Sequence, residues 1–247
     1  MPLEKLIKGF KSFRLSYFEK HNRYEDLVKN GQAPQALVIA CSDSRNDPAL
    51  LTRSEPGDLF VVRNVAAIVP PYQPDQNYHG TSAAIEFAVK GLKVKNIIVL
   101  GHALCGGVMA LSDKKLRESG DYEFLSQWIT IGAAANDMVD TLLPDAPRAK
   151  RLMALEQAII LTSLNNLMTF PWIRSGVESG AIALHGWYFD MVNGKLLGYN
   201  AESGNFAEVK VSAKGLSAAK GIPERTAHDH DGCCPKWPVD RLVRQYL

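Results

Sequence analysis

Three short stretches of apolar residues predict the buried strands of a parallel sheet. The stretch 36–40 is continuously apolar, 58–66 is the segment DLFVVRNVA, and 96–102 is the segment NIIVLGH. Strands that are covered on both faces are apolar at nearly every position, whereas half-exposed strands alternate. These stretches are therefore predicted to be three strands of one sheet, with 36–40 and 96–102 buried.

Helical periodicity separates the predicted strands. A helix is predicted over 82–92, with Thr81 or Ser82 as its N-cap. Further helices are predicted over 3–29, from about 106, over 121–140, over 147–168 and from Pro171 toward Gly180. A hairpin is predicted from 181–190, through the turn at Asn193-Gly194, to the segment LLGYN.

This alternation of strands and helices predicts an α/β fold, with a central and largely parallel sheet flanked by helices. We expect one domain over 1–247, made of a helical arm (1–31), an α/β core (32–204) and a polar C-terminal tail (205–247). The amphipathic arm carries several acids and has no signal-peptide pattern, which favours a cytoplasmic protein over one with a basic transit peptide.

Charge and composition exclude several classes of function. The chain has 28 basic and 26 acidic residues, interspersed, so it lacks the basic stripe of a nucleic-acid-binding protein. It has no apolar run of the length that predicts a transmembrane helix. Four cysteines in 247 residues do not form a disulfide framework, and reduced thiols point to metal binding or catalysis.

Two of these cysteines and one histidine lie where strands are predicted to end. Cys41 follows the first strand, His102 ends the third, and Cys105 begins the next helix. The carboxyl ends of parallel strands share one edge of a sheet, which is where ligands bind. Two thiolates and one imidazole suit zinc, and three protein ligands leave a fourth position open, as in catalytic sites. The pattern predicts a catalytic metal centre.

Asp43 and Arg45 alternate with Cys41 in the segment CSDSR. In an extended segment all three side chains point to similar sides. An aspartate beside a metal-activated water can orient that water, and an arginine can keep the aspartate ionised. A phosphatase loop would need more residues between its cysteine and arginine, and a thioredoxin-like site would need a Cys-x-x-Cys motif that is absent.

The segments CSDSR and GHALCGG together resemble the paired signature of the β-class carbonic anhydrases. The resemblance extends through EPGDLFVVRNVAAIVPPY and HGWYFD and covers roughly residues 32–200. It implies that zinc, held by Cys41, His102 and Cys105, activates water that attacks carbon dioxide to give bicarbonate. It also implies that Asp43 and Arg45 are the catalytic pair.

The segment VVRNVAAIVPPY is similar to that of the plant-type subgroup, which implies a particular substrate pocket. The matching positions are Gln32, Phe60 and Phe87, the last standing where relatives have a tyrosine, and the backbone N–H of Gly106 is expected to face the substrate. The alternative to a substrate-binding role is a structural one, in which Gln32 is a loop residue and both phenylalanines belong to the core.

The other subgroup binds bicarbonate at a second, inhibitory site, for which this chain lacks two of the three expected side chains. The matching positions here are Val38, Arg63 and Phe189. We therefore expect no inhibitory site, and no switch in which Asp43 displaces water from the metal. Cys233 and Cys234 lie outside the resemblance and are interpreted as part of a loop or interface segment.

The resemblance further implies a homodimer or larger homo-oligomer, with a tetramer as an expected assembly, and neither a nucleic-acid nor a membrane partner. Two alternatives remain open at this point. One is a related zinc enzyme that hydrolyses carbonyl sulfide or carbon disulfide. The other is a non-catalytic zinc-binding protein, against which the intact Asp43–Arg45 pair argues.

Overall fold

A six-stranded sheet forms the centre of the computed structural model, which describes residues 3–20, 23–209 and 237–247. The strands are β1 (Ala36–Cys41), β2 (Leu59–Asn64), β3 (Asn96–His102), β4 (Ala183–Asp190), β5 (Lys195–Asn200) and β6 (Asn205–Glu208). Their order in the sheet is β2-β1-β3-β4-β5-β6. The first four pair in parallel and the last two antiparallel, so the predicted α/β fold is confirmed.

Eleven α-helices accompany the sheet within the described residues. They are α1 (Leu3–Arg14), α2 (Arg23–Asn30), α3 (Pro48–Thr52), α4 (Gly80–Glu86), α5 (Gly106–Ser112), α6 (Lys114–Glu118), α7 (Leu125–Ile129), α8 (Ala133–Leu142), α9 (Arg148–Leu167), α10 (Pro171–Glu178) and α11 (Val239–Arg244). Within this part of the chain, no helix is both long and apolar enough to cross a membrane.

The two faces of the sheet bury very different amounts of side chain. Leu37 and Ile39 of β1 belong to the large core, which also contains buried apolar residues of α5, α8 and α9. Val38 and Ala40 point to the opposite face and join a small cluster there. Most of the helical packing therefore lies on one face, and α9 covers it along most of its length.

Three sequence expectations differ from the structure. Helix α4 begins at Gly80 after His79 rather than at a Thr81 or Ser82 cap, and the Thr81 hydroxyl lies 3.4 Å from Asn64 Nδ2 instead. The helix predicted over 121–140 is broken into α7, a 3₁₀ turn and α8. The polar segment after 204 contains β6, because Phe206 packs against Tyr199 with ring centroids 5.4 Å apart.

The two glycines at the start of α5, Gly106 and Gly107, differ in how closely other residues pack against them. A Cβ on Gly107 would lie 2.5 Å from Val65 Cγ1 and 3.2 Å from the backbone nitrogen of Ala66, whereas one on Gly106 would meet no atom within 4 Å. We expect Gly107→Ala to lower the free energy of unfolding by about 1–3 kcal/mol, the usual cost of overpacking.

Gly106→Ala is the matched control, and chemical denaturation measures both variants. We expect it to cost no stability, because alanine is the better helix former and has room at this position. Equal stabilities of the two variants would contradict the packing described here.

Candidate metal centre

The sheet brings Cys41, His102 and Cys105 together. Cys41 ends β1, His102 ends the adjacent parallel strand β3, and Cys105 directly precedes α5. All three are buried, with 5%, 1% and 2% of their surface exposed. Their ligand atoms lie within 4.8 Å of one another, and the two sulfur atoms are 3.8 Å apart. This arrangement is the cluster that the sequence predicts.

A tight turn after β3 returns Cys105 to the side of His102. Leu104 has a φ of 57°, a left-handed conformation that a branched side chain rarely adopts. The Ala103 N–H donates to the carbonyl of Phe189 on β4 at 2.9 Å, which ties the start of the turn to the sheet. The strained turn is thus held by its surroundings, as is common at functional sites.

The protonation pattern of His102 leaves one ring nitrogen free for a metal. Its Nδ1 lies 2.9 Å from the carbonyl oxygen of Ala103, which can only accept, so Nδ1–H is the donor. Its Nε2 is buried and has no hydrogen-bond partner among the described residues. A buried ring nitrogen without a partner is costly unless a ligand occupies its lone pair.

The two thiols divide one negative charge unequally. The pKa of Cys41 is lowered to about 4, because the Cys105 thiol donates a hydrogen bond to its sulfur, an effect that outweighs the burial of the Cys41 side chain. The pKa of Cys105 is raised, because it holds that hydrogen bond with Cys41 and because it is buried. One thiolate is thus available in the free protein, and a cation between the sulfurs would favour ionisation of both.

The donor set fits a soft divalent metal. Two sulfur atoms and one imidazole nitrogen suit zinc, which prefers four ligands in a tetrahedral arrangement. Cys41, His102 and Cys105 would supply three ligands, which would leave a fourth position for water or substrate.

Asp43 and Arg45 form a forked ion pair beside the cluster. Arg45 Nε donates to Asp43 Oδ1 at 2.9 Å and Arg45 Nη2 to Oδ2 at 2.7 Å, and the Arg45 backbone N–H also donates to Oδ1. These bonds hold the pKa of the Asp43 carboxyl well below its usual range. Asp43 Oδ2 lies 3.9 Å from His102 Nε2, so the ionised carboxylate stands beside the ring nitrogen that would bind a metal.

Arg63 on β2 clamps the loop that carries this pair. Its Nε donates to the carbonyl of Cys41 at 3.1 Å, its Nη2 to the carbonyl of Asp43 at 2.6 Å, and its Nη1 to Asp47 Oδ2 at 3.1 Å. Sequence reasoning considered Arg63 only as a possible bicarbonate ligand. The structure places all three donor nitrogens of its guanidinium on the CSDSR loop and the residues that follow.

The predicted pocket residues are only partly brought together. The rings of Phe60 and Phe87 lie 5.8 Å apart. Phe87 is 53% exposed, so it is not a core residue, contrary to the purely structural alternative. Gly106 is exposed directly beside Cys105. Gln32 is exposed between α2 and β1, and its side chain forms no hydrogen bond with another described residue. The roles of these four residues stay predictions.

Sequence reasoning missed Glu156, a buried carboxylate on α9. Its Oε1 accepts from the N–H of Cys105 at 3.1 Å, and its Oε2 accepts from the Tyr188 hydroxyl at 2.7 Å. Burial raises the pKa of the Glu156 carboxyl. The hydrogen bonds that it accepts act in the opposite direction but do not outweigh the burial. A signal was available, because an acid within the apolar segment MALEQAIIL is unusual for a buried helix. Cys233 and Cys234 lie outside the described residues.

Comparison with known proteins identifies what this chain resembles. A sequence profile described as "Carbonic anhydrase" matches residues 36–196. The chain is 38% identical over 181 residues to β carbonic anhydrase 5, chloroplastic, of Arabidopsis thaliana, covering 73% of this chain and 58% of that protein. It is 37% identical over 202 residues to a carbonic anhydrase of Synechocystis sp., covering 80% and 71%. It therefore spans less than two thirds of the length of the Arabidopsis relative.

Solved structures give the same result. The β-carbonic anhydrase CcaA superposes with a TM-score of 0.79 at 33% identity, covering 88% of this chain and 95% of that one. One of two β-carbonic anhydrases described as tetrameric, from Sordaria macrospora, has a TM-score of 0.64 at 29% identity, covering 79% of this chain and 92% of that one.

The cluster predicts that metal content depends on Cys105. We expect the purified protein to bind one equivalent of divalent metal at this centre, and Cys105→Ala to retain less than about a tenth of it, because two remaining ligands bind too weakly. Elemental analysis after gel filtration measures the content. Full retention by the variant would show that the metal lies elsewhere.

Proposed function

Because this chain belongs to the β-class carbonic anhydrase family, we propose that it catalyses the reversible hydration of carbon dioxide to bicarbonate and a proton. The observation that carries the proposal is the buried Cys41–His102–Cys105 cluster with the ionised Asp43 beside its open position. A structural metal site has no need of such a carboxylate, so a non-catalytic zinc-binding role explains less of this geometry.

Zinc is the metal that we propose for the centre. Cys41 and Cys105 would supply two thiolates and His102 its free Nε2. When bound, zinc would act as a Lewis acid that lowers the pKa of water to near 7, and a nucleophile would then be available at neutral pH.

Asp43 would orient the nucleophile rather than store its proton. Arg45 keeps the carboxylate ionised, so Asp43 Oδ2 can only accept a hydrogen bond from the attacking water. Accepting that bond turns a lone pair of the water toward carbon dioxide. Because the pKa of Asp43 is so low, the released proton must pass on to solvent or buffer.

The substrate would be bound next to Asp43 by small and apolar groups. Phe60 and Phe87 provide an aromatic wall, and the exposed N–H of Gly106 can approach a substrate oxygen closely because no side chain shields it. Gln32 would donate its amide N–H to bicarbonate. We propose these roles for the four residues.

We also propose that the inhibitory bicarbonate site of the other subgroup is absent. The three donor nitrogens of Arg63 are engaged by Cys41, Asp43 and Asp47. Val38 is buried to 2% exposure on the sheet face, and neither it nor Phe189 offers a side-chain hydrogen-bond donor. Arg63 is thus already held by three groups of the loop, and the other two positions offer no donor, so we expect Asp43 to stay with Arg45.

The carbonyl sulfide and carbon disulfide alternative is not favoured. The matching profile and the relatives described above are all named as carbonic anhydrases. No observation within the described residues favours a sulfur substrate over carbon dioxide.

We propose that the active protein is a homo-oligomer, a dimer or a tetramer. Helix α1 has no buried residue, and it exposes Leu3, Leu6, Ile7 and Phe10 by half or more of their surface. An apolar face of this kind indicates a protein partner, and the structures from Sordaria macrospora are described as tetrameric. Sedimentation at the monomer mass would contradict the proposal.

We further propose a cytoplasmic location. Cys41 and Cys105 are free thiols that the centre requires in reduced form, and the cytosol keeps thiols reduced. Detection of the native protein in a different cell fraction would contradict this.

Hydration activity should rise with pH through neutrality. For the zinc-loaded protein, we expect stopped-flow rates to increase smoothly between about pH 6.5 and 9, with activity retained near pH 7. Asp43 contributes no step in this range, because Arg45 shifts its pKa downward and the carboxylate is already ionised.

Two outcomes would contradict these expectations. A collapse of the rate below about pH 8 would indicate that Asp43 displaces water from the metal, despite Val38 and the engaged Arg63. An absence of hydration at every pH, with one equivalent of zinc bound, would refute the proposed function.

Asp43→Asn tests the orienting role. We expect kcat to fall by roughly 10²-fold, because the amide presents a donor where the carboxylate accepts. Zinc content should stay at one equivalent, because Asp43 is not a ligand. Activity within about twofold of the wild type would contradict the assigned role.

A further inference from the structure

Glu156 is a buried carboxylate in contact with the backbone of the ligand Cys105. It is 4% exposed, on α9, and its neighbours Leu155, Ile159 and Ile160 are core residues. Moving a carboxylate into such surroundings is unfavourable unless every oxygen finds a donor. Its two oxygens accept from Cys105 N–H at 3.1 Å and from Tyr188 Oη–H at 2.7 Å.

Close packing of α9 on the sheet brings this carboxylate to the turn after β3. A Cβ on Gly101 would lie 2.8 Å from the Ile160 side chain and 3.8 Å from the Glu156 carbonyl oxygen. Because Gly101 has no side chain, α9 can pack closely against the end of β3, next to His102. The hydroxyl of Tyr188, on the next strand, then holds the second carboxylate oxygen in place.

The turn whose Cys105 N–H donates a hydrogen bond to Glu156 needs support from outside the turn. Leu104 has a left-handed backbone conformation, and Cys105 occupies the N-cap of α5 without a capping side-chain hydrogen bond. Free to relax, the turn would move the Cys105 sulfur away from Cys41 and His102. The Glu156–Cys105 bond, anchored through Tyr188, opposes that movement.

We propose that Glu156 is a positioning residue, which fixes the Cys105 thiolate in the metal-binding geometry by accepting a hydrogen bond from the Cys105 N–H. Its effect is on metal retention and ligand geometry, and it acts through the backbone of a ligand rather than on the substrate. The inference rests on the metal centre of the proposed function but not on the reaction, so it can be tested without carbon dioxide.

Gln157 provides a matched control for a purely structural role. It is the next residue on α9 and is 3% exposed. It accepts a hydrogen bond from the hydroxyl of Tyr246, just after α11, at 2.7 Å. Gln157→Leu therefore removes a comparable buried bond from the same helix without touching the metal centre. A general loss of stability would affect both variants, whereas a loss of metal would affect Glu156→Leu alone.

The experiment measures the rate at which zinc passes to a colorimetric chelator. We expect Glu156→Leu to release zinc about 10–100-fold faster than the wild type, since removal of groups that orient metal ligands typically lowers metal affinity by about that factor. Gln157→Leu should stay within about threefold of the wild type, whatever its melting temperature. Cobalt-substituted Glu156→Leu should also show shifted thiolate-to-metal absorption bands, which report on sulfur geometry and not on stability.

Glu156→Gln is the conservative rescue. Its amide oxygen can still accept from the Cys105 N–H, and its amide NH₂ can donate to the Tyr188 oxygen. We expect zinc release within about threefold of the wild type and an unshifted cobalt spectrum. Release as fast as in Glu156→Leu would overturn the proposal, because charge and not the hydrogen bond would then matter.

Two further results would overturn the inference. The first is equal zinc release and equal cobalt spectra in Glu156→Leu and Gln157→Leu. If Glu156→Leu does not fold, Tyr188→Phe decides the question: it removes the anchor of the carboxylate, and zinc release should increase at least threefold over Gln157→Leu. Release no faster than in Gln157→Leu would be the second contradicting result.

Discussion

The parallel pairing of β1 with β3 is the constraint on which the metal centre depends. Their register aligns Ala36 with Asn96 and Ala40 with Leu100, so both strands end at the same edge of the sheet. Cys41 and His102 are therefore neighbours although 61 positions separate them in sequence. Burial of these apolar strands fixes the register, because a slip of one residue would turn each side chain to the opposite face. The core packing of α9 on this part of the sheet is thus also what assembles the site.

Charges around the centre are arranged in two layers with different tasks. On the open side, Arg45 and Arg63 hold the CSDSR loop, so that Asp43 stays ionised and faces the metal position. On the buried side, Glu156 is enclosed by the core, and its two oxygens accept hydrogen bonds from the Cys105 N–H and the Tyr188 hydroxyl. Asp43 can exchange hydrogen bonds with substrate and solvent, whereas Glu156 cannot. The first layer is suited to catalysis and the second to holding a ligand still.

Much of this site could be predicted from the sequence, for physical reasons that differ between residues. Cys41 and His102 could be placed because buried parallel strands have continuous apolar runs with well-defined ends, and Cys105 because two glycines and a helical pattern follow it. The apolar segment around Glu156 marks it as an unusual acid, but its contact with Cys105 could not be predicted, because that contact depends on the close approach of α9 at Gly101 and no local pattern encodes the distance between a helix and a sheet. The clamp by Arg63 was missed for the same reason: its partners come from another segment of the chain. The strand β6 was not predicted because its sequence is mostly polar. Its packing depends on the contact of Phe206 with Tyr199 on β5, which no local pattern shows.

A crystal structure of the zinc-loaded protein near pH 7 tests the central claim most directly. The account predicts zinc bound by Cys41 and Cys105 sulfur at about 2.3 Å and by His102 Nε2 at about 2.0–2.1 Å, with a solvent molecule as fourth ligand. Asp43 should still be paired with Arg45. A structure in which an Asp43 oxygen occupies the fourth position, or in which zinc is bound by other residues, would contradict it.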